Sequence, residues 1–147
     1  MSLPIELLPE ILRVGQKMPQ IVVPIPSNFE IELELTPSDG KGWIFTGFMF
    51  GGHLADGSKI PSYDFITNKG ITWKAIYVNK PPLETYESFT FYLTDDYLYQ
   101  QIFYGPRPIT EKFVITIKNT LDSLVYFGQT AYLYEMPLTR IMEIFAK

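Results

Sequence analysis

The sequence predicts an all-β domain, an antiparallel β-sandwich or jelly-roll-like barrel with a proline-rich N-terminal arm and a short C-terminal helix. Three observations carry this. Apolar and polar residues alternate over short runs, most clearly Phe29–Leu35 and Lys112–Lys118. Turn residues rather than helical stretches separate those runs. The period leaves two only at the chain ends, so the expected parts are an arm over 1–26, a β-domain over 27–136 and a helix over 137–147. A length of 147 residues, 46% hydrophobic and 16% aromatic, suits one domain with a sizeable core.

In the arm, Pro4, Pro9, Pro19, Pro24 and Pro26 punctuate an apolar stretch that holds Leu7, Leu8, Ile11, Leu12 and Val14. Leu8, Ile11 and Leu12 have i, i+3, i+4 spacing, which predicts a short helix over Pro9–Val14 stopped by Gly15. Met18–Pro26 should run extended, because closely spaced prolines fix φ and forbid helix and central-strand pairing.

Phe29, Ile31, Leu33 and Leu35 then alternate with Glu30, Glu32 and Glu34, the pattern of a half-buried strand with an acidic solvent face. Pro37 and Gly40 supply the chemistry of the following turn. Trp43–Phe50 is apolar on both faces, which suits a central strand or one between two layers. Gly51–Ser58 reads as a loop, Tyr63–Thr67 as a short strand, and Ile71–Asn79 as a strand with Ile71, Trp73, Ala75 and Tyr77 on one face. Further strands are expected at Ser88–Thr94, at Tyr97–Tyr104 until Gly105-Pro106-Arg107-Pro108 breaks it, at Lys112–Lys118, and at Leu124–Tyr134 with Gly128 as a bulge. Leu138, Ile141, Met142 and Phe145 restore helical spacing behind Pro137. The expected core comprises Phe29, Ile31, Leu33, Leu35, Trp73, Phe91, Phe113, Ile115 and Ile117.

Composition excludes several chemistries. Without cysteine there is no disulfide framework, thiolate nucleophile or Cys-ligated metal, and the lone His53 cannot build a multi-histidine site. No cofactor or metal is expected. Twelve Lys and Arg against 16 Asp and Glu leave no basic stripe for phosphates, so nucleic acid is not an expected partner. Charge-free stretches such as Gly42–Ala55 are too short for a membrane span, and the N-terminus lacks the features of a secretion signal.

Few residues invite chemistry. His53, Asp56 and Ser58 contain the residue types of a hydrolase triad, but neighbours in one Gly-rich loop cannot readily converge in a hydrogen-bonded line, and a loop is the expected reading. Glu30, Glu32 and Glu34 lie on one open face, whereas catalytic carboxylate pairs face each other across a cleft. Asp95-Asp96 lacks the rest of a calcium loop and reads as a turn. Tyrosine is the least ordinary feature: Tyr92, Tyr97, Tyr99 and Tyr104 crowd one stretch, and Tyr126, Tyr132 and Tyr134 another. Alternation would put Tyr97, Tyr99 and Tyr92 on one face beside Gln101, a composition that suits core packing, a protein interface or sugar stacking.

With no nucleophile–base pair, phosphate loop or dinucleotide fingerprint, the expected function is non-enzymatic. A small acidic β-domain with an apolar arm and an amphipathic helix resembles the general type of virion subunit, of capsid-decoration, cement or tail-adaptor kind, that clasps its neighbours. No family motif supports that likeness. On this reading the partners are the chain itself or other virion-type structural proteins, in a virion or host cytoplasm. The contacts would come from Leu7, Leu8, Ile11, Leu12, Val14, Tyr97, Tyr99, Ile141 and Phe145. The alternative is a small β-sandwich glycan- or ligand-binding module that uses surface tyrosines.

Overall fold

The computed structural model describes residues 20–93 and 98–146, and the backbone alone at 20–22, 98–106 and 129–131. Two antiparallel sheets face each other. Strands β1 (Gln20–Ile25), β9 (Val125–Pro137), β3 (Lys41–Leu54) and β7 (Leu98–Ile109) form the first, in that order. The second contains β2 (Phe29–Leu35), β8 (Lys112–Asn119), β4 (Ile71–Val78) and, along the outer side of β4, the two-residue strands β5 (Tyr86–Glu87) and β6 (Phe91–Tyr92). Helix α1 (Leu138–Phe145) follows β9 directly. The predicted β-sandwich is therefore the observed fold, with β4 to β8 and β2 to β8 pairings linking segments distant in sequence.

Alternation does what it predicts in the second sheet. Ile71, Trp73, Ala75 and Tyr77 all point inward and are buried, as are Phe113, Ile115 and Ile117 opposite them. On β2 the glutamates face solvent, while Ile31, Leu33 and Leu35 are half-buried against the core and Phe29 is 50% exposed. That strand lies at a sheet edge, where only one flank is covered. The expected core residue Phe29 is thus a rim residue, and Phe91 on the opposite margin is half-buried.

Between the sheets Phe48 stacks on Trp73 with ring centroids 4.1 Å apart and planes 12° from parallel. Phe50 continues the stack at 5.6 Å from Phe48, and Phe91 meets Phe48 edge-on at 5.1 Å. Such aromatic pairs contribute beyond the area they bury.

Two expected loops prove to be strand. Gly51–Leu54 continues β3, because a Cβ on Gly52 would lie 2.2 Å from the Tyr126 carbonyl oxygen: glycine here lets neighbouring backbone approach closely. Arg107 and Pro108 resume β7 after the turn residues interrupt its pairing; on β3 the register passes from Phe45 to Gly47 while on β7 it passes from Arg107 to Ile102. In the β3–β9 pairing the irregularity lies on β3, where Thr46 is the extra residue between Phe45 and Gly47, and Gly128 of β9 is no bulge but pairs regularly with Gly51. Conversely, the described part of the expected strand Ser88–Thr94 contains only the two-residue β6, with β5 ending just before it: the Ser88 hydroxyl accepts from Ala75 N–H at 2.9 Å, and Phe89 is 87% exposed.

The described part of the expected arm, Gln20–Ile25, is an edge strand paired to β9, with Ile25 fully buried. An edge tolerates Pro24 because a missing N–H costs no ladder bond on the free side. Asn119, fully buried, fastens this junction: its Nδ2 donates to the Ile25, Pro26 and Ser123 carbonyls at 3.0, 3.1 and 2.9 Å, and its Oδ1 accepts from Leu121 N–H. Helix α1 covers one end of the first sheet's outer face, with Ile141 buried against Ile44 and Met136. Gly42 makes room for it, since a Cβ there would lie 2.7 Å from Ile141 Cδ1.

Removing the Asn119 amide takes its hydrogen bonds from three carbonyls and one N–H, so Asn119→Ala should lower stability by about 2–4 kcal/mol in denaturant unfolding. Trp73→Ala should cost about 3–5 kcal/mol, and the half-covered Leu33→Ala about 1–2, well below a fully buried leucine. Equal losses for the last two would contradict the edge position of β2.

Candidate functional site

Trp73 pairs with Phe91 across β4 and β6, and Thr72 pairs with Tyr92. Successive residues of a strand face opposite ways, so burying Phe91 puts Tyr92 on the outer face. There the Tyr92 ring meets Tyr63 at 4.6 Å and Phe65 at 4.8 Å, and Tyr63 meets Phe65 at 4.9 Å, with planes tilted by 57°, 59° and 64°. Each ring sets an edge toward a neighbour's face, the arrangement that aromatic quadrupoles favour. Phe65 is 62% exposed and Ile66 beside it 93%.

Tyr63 and Phe65 belong to the stretch read from sequence as a short strand. Instead Asp64 builds a tight loop. Its Oδ1 accepts from Ile66 N–H at 2.8 Å, its Oδ2 accepts from the Thr67 hydroxyl at 2.8 Å, and its backbone exchanges hydrogen bonds with Lys69. These bonds, the one from Ile66 N–H first, hold the carboxyl below the usual aspartate range although it is fully exposed. Asn68 completes the turn at φ 57°. Tyr63 N–H donates to the Leu93 carbonyl at 2.7 Å, Gly70 N–H donates to Thr120 Oγ1 at 2.9 Å, and Lys69 pairs with Asp122 at 2.8 Å. Gly70, at φ 151°, lies so close to Tyr63 that a Cβ would fall 2.7 Å from its Cα. Apolar side chains held outward by a locked loop characterise a contact surface, since folding alone gains nothing from exposing them.

Beside the rings runs a polar row fixed by register: Tyr92 on β6, Thr72 on β4, Lys118 on β8 and Glu30 on β2. Strand spacing makes it roughly 14 Å long. The next residues outward include Lys74, ion-paired with Glu87, and Glu34, paired with Lys112 at 3.2 Å.

The residues predicted from sequence are distributed differently. Leu7, Leu8, Ile11, Leu12, Val14 and Tyr97 lie outside the described residues, as does the side chain of Tyr99, so the expected Tyr92–Tyr97–Tyr99 face is represented by Tyr92 alone. Ile141 is buried by its own chain and Phe145 packs half-buried beside it, so α1 spends this apolar face on its own sheet. Tyr132 is buried and Tyr134 lines the same helix contact, while Tyr126 is partly exposed beside His53 at 5.4 Å. Ser58 Oγ donates to Asp56, and His53 Nδ1 lies 2.8 Å from the Leu54 carbonyl oxygen: the triad residue types do not form a line. No group of three or more His, Asp or Glu able to hold a metal occurs among the described residues. No described helix is long and apolar enough to cross a membrane. Tyr63, Phe65 and Ile66 were missed because their stretch alternates like a strand; the Asp64-x-x-Thr67 spacing before Asn68 and Gly70 is the signal of a loop.

No family model matches the sequence, and no curated protein matches it. Among solved structures, the chain is similar to the Yersinia pseudotuberculosis-derived mitogen, at 12% identity and TM-score 0.47 over 80% of this chain and 86% of that one. It is also similar to TmCBM61 in complex with beta-1,4-galactotriose, at 13% identity and TM-score 0.36 over 80% of this chain and 70% of that one.

Because its folded-state pKa is depressed, the Asp64 carboxylate supports the loop fully above the ordinary aspartate value, and that support is lost as pH falls through the lower folded value. Carboxyl 13C NMR should therefore give Asp64 a titration midpoint below that of an unstructured aspartate, and Asp64→Ala should speed amide exchange at Ile66 and Thr67. An ordinary midpoint would mean the loop is not held this way.

Proposed function

We propose that this chain is a non-catalytic binding module that takes a neutral oligosaccharide on the Tyr63–Phe65–Tyr92 cluster and the polar row beside it. The carrying observation is that Phe65 is exposed and packs with the half-buried Tyr63 and Tyr92, two of the three rings being held by a locked loop and the third by β6. The apolar face of a sugar ring, with its C–H groups, suits the electron-rich face of an aromatic ring, and its hydroxyls need donors and acceptors nearby. Thr72, Lys118 and Glu30 offer both in one row. A pre-ordered loop also removes part of the entropy cost of binding.

One observation favours a second reading, assembly with a protein neighbour: Ile66 is an aliphatic side chain, 93% exposed, that can make no hydrogen bond to a sugar. The same surface would then press against another subunit.

An oligosaccharide array probed with the full chain, followed by calorimetry, separates the two. The glycan reading expects binding that Phe65→Ala and Tyr92→Ala each weaken by about tenfold or more, at little cost in thermal stability because both residues are partly exposed. The absence of binding to any oligosaccharide, together with a self-associated species in native mass spectrometry that Ile66→Asp abolishes, would replace it with assembly.

A further inference from the structure

A sheet has two edges, and each presents unpaired N–H and C=O groups that another strand can take up; natural proteins block them with prolines, bulges, lysines or very short strands. In this fold three of the four edge positions are blocked. On the first sheet β1 carries Pro24, and β7 carries Pro106 and Pro108 and is broken by the wide bulge opposite Phe45 and Gly47. On the second sheet β5 and β6 are two residues each, and between them the Ser88 side chain occupies the Ala75 N–H.

The fourth edge is β2. Its seven residues, Phe29–Leu35, contain no proline, glycine or lysine, and pair with β8 in unbroken register. In an antiparallel ladder alternate residues turn their N–H and C=O away from the partner, so about half of these residues offer both groups outward. Among the described residues no strand lies on that side. Ile31, Leu33 and Leu35 are half-buried and Phe29 is 50% exposed, so the inward side chains are left partly uncovered on the same flank.

We infer that β2 receives a strand from a partner protein, an extended segment in which apolar residues alternate with lysine or arginine. The alternation follows from the pleat: inward positions of an added strand would cover Ile31 and Leu33, and outward positions would stand beside Glu30, Glu32 and Glu34. Basic residues follow from charge. Glu30 and Glu32 make no ion pair among the described residues, and Lys112 answers Glu34 alone. A second copy is the wrong partner, because antiparallel β2–β2 pairing about Glu32 sets Glu30 against Glu34 and Glu32 against itself, and like charges directly opposite are unfavourable. The glutamate stripe thereby protects the bare edge against self-pairing while leaving it open to a basic strand. The inference rests on different observations from the glycan reading, which centres on the rings at the opposite margin of this sheet; the two share Glu30 alone, at the far end of the polar row.

The test uses the full chain and a synthetic ten-residue peptide alternating valine and lysine. We expect binding by fluorescence anisotropy that weakens with salt, a gain of strand signal in isotope-edited infrared spectra of the peptide, and loss of binding when alternate peptide nitrogens are methylated, since methylation removes the ladder donors. The variant Glu30→Lys/Glu32→Lys should lose the valine–lysine peptide and gain a valine–glutamate one. Each substituted side chain is exposed, so the fold is retained. Equal binding of the methylated peptide would show attraction to the charged face rather than strand addition and would overturn the proposal. So would no binding by the full chain, or dimerisation of the unmodified chain through β2.

Discussion

The stack of Phe48 on Trp73 is the contact on which the rest of the molecule depends. Phe48 comes from β3, with neighbours on both sides in the first sheet, and Trp73 from β4 in the second. Their near-parallel rings tie one sheet's register to the other's. That contact also decides what the surface shows. With Trp73 inward, Thr72 must face out; with Phe91 drawn in against Trp73 and Phe48, Tyr92 must turn toward Tyr63 and Phe65. The exposed cluster is the reverse side of the core, and a one-residue slip in β6 would bury Tyr92 and expose Phe91.

Polar residues finish what the aromatic core begins. Asn119 and Asn79 stand just inside opposite ends of the second sheet, and each spends its amide on loop backbone. Asn119 binds the β1–β2 connection, while Asn79 accepts from Thr110 N–H at 2.9 Å and donates to the Glu84 carbonyl at 2.9 Å. Near the same end, the buried Tyr77 hydroxyl titrates well above its usual range, because burial disfavours the phenolate more than Arg107 favours it. Arg107 itself lies over the Tyr86 ring at 4.5 Å. Buried polar groups with complete sets of partners fix loops in one arrangement, which apolar packing alone does not.

Where one face of a strand is wet and the other dry, the sequence was legible: β2, β4 and β8 fall almost where period two places them, and α1 where the spacing of Leu138, Ile141 and Phe145 puts it. What escaped depends on neighbours distant in sequence. Gly51-Gly52 carries turn chemistry, and only the close approach of Tyr126's backbone makes it strand. Gly105-Pro106 does interrupt pairing, yet sheet geometry recovers the strand at Arg107. At the candidate site, Tyr92 was identifiable as a surface tyrosine, but its partners Tyr63 and Phe65 lie 27 or more residues away in a loop whose shape Asp64 sets through hydrogen bonds, not through periodicity. Ile141 shows the converse: the apolar helix stripe was visible, but which surface would cover it was not.

The two outer faces have opposite fates, and β3 is the reason. Apolar residues on both of its sides oblige the first sheet to find cover outside as well as inside. Helix α1 supplies it over Ile44 and Met136, with Gly42 permitting the close approach. The obligation is weaker on the second sheet, whose outward positions Glu30, Glu32, Lys74, Thr116 and Lys118 are polar, with Ile76, Val78 and Val114 apolar toward one end. That sheet's face is largely open to solvent, and both proposed binding surfaces lie on it: the aromatic cluster at the β6 margin and the bare backbone at the β2 margin. Charge separates their proposed ligands. Opposite-sign pairs such as Lys74 with Glu87 neutralise the face near the rings, which suits an uncharged partner, whereas Glu30 and Glu32 keep the far margin negative. The two proposed kinds of recognition are compatible on one sheet because the core stack and the helix place little demand on most of its outer face.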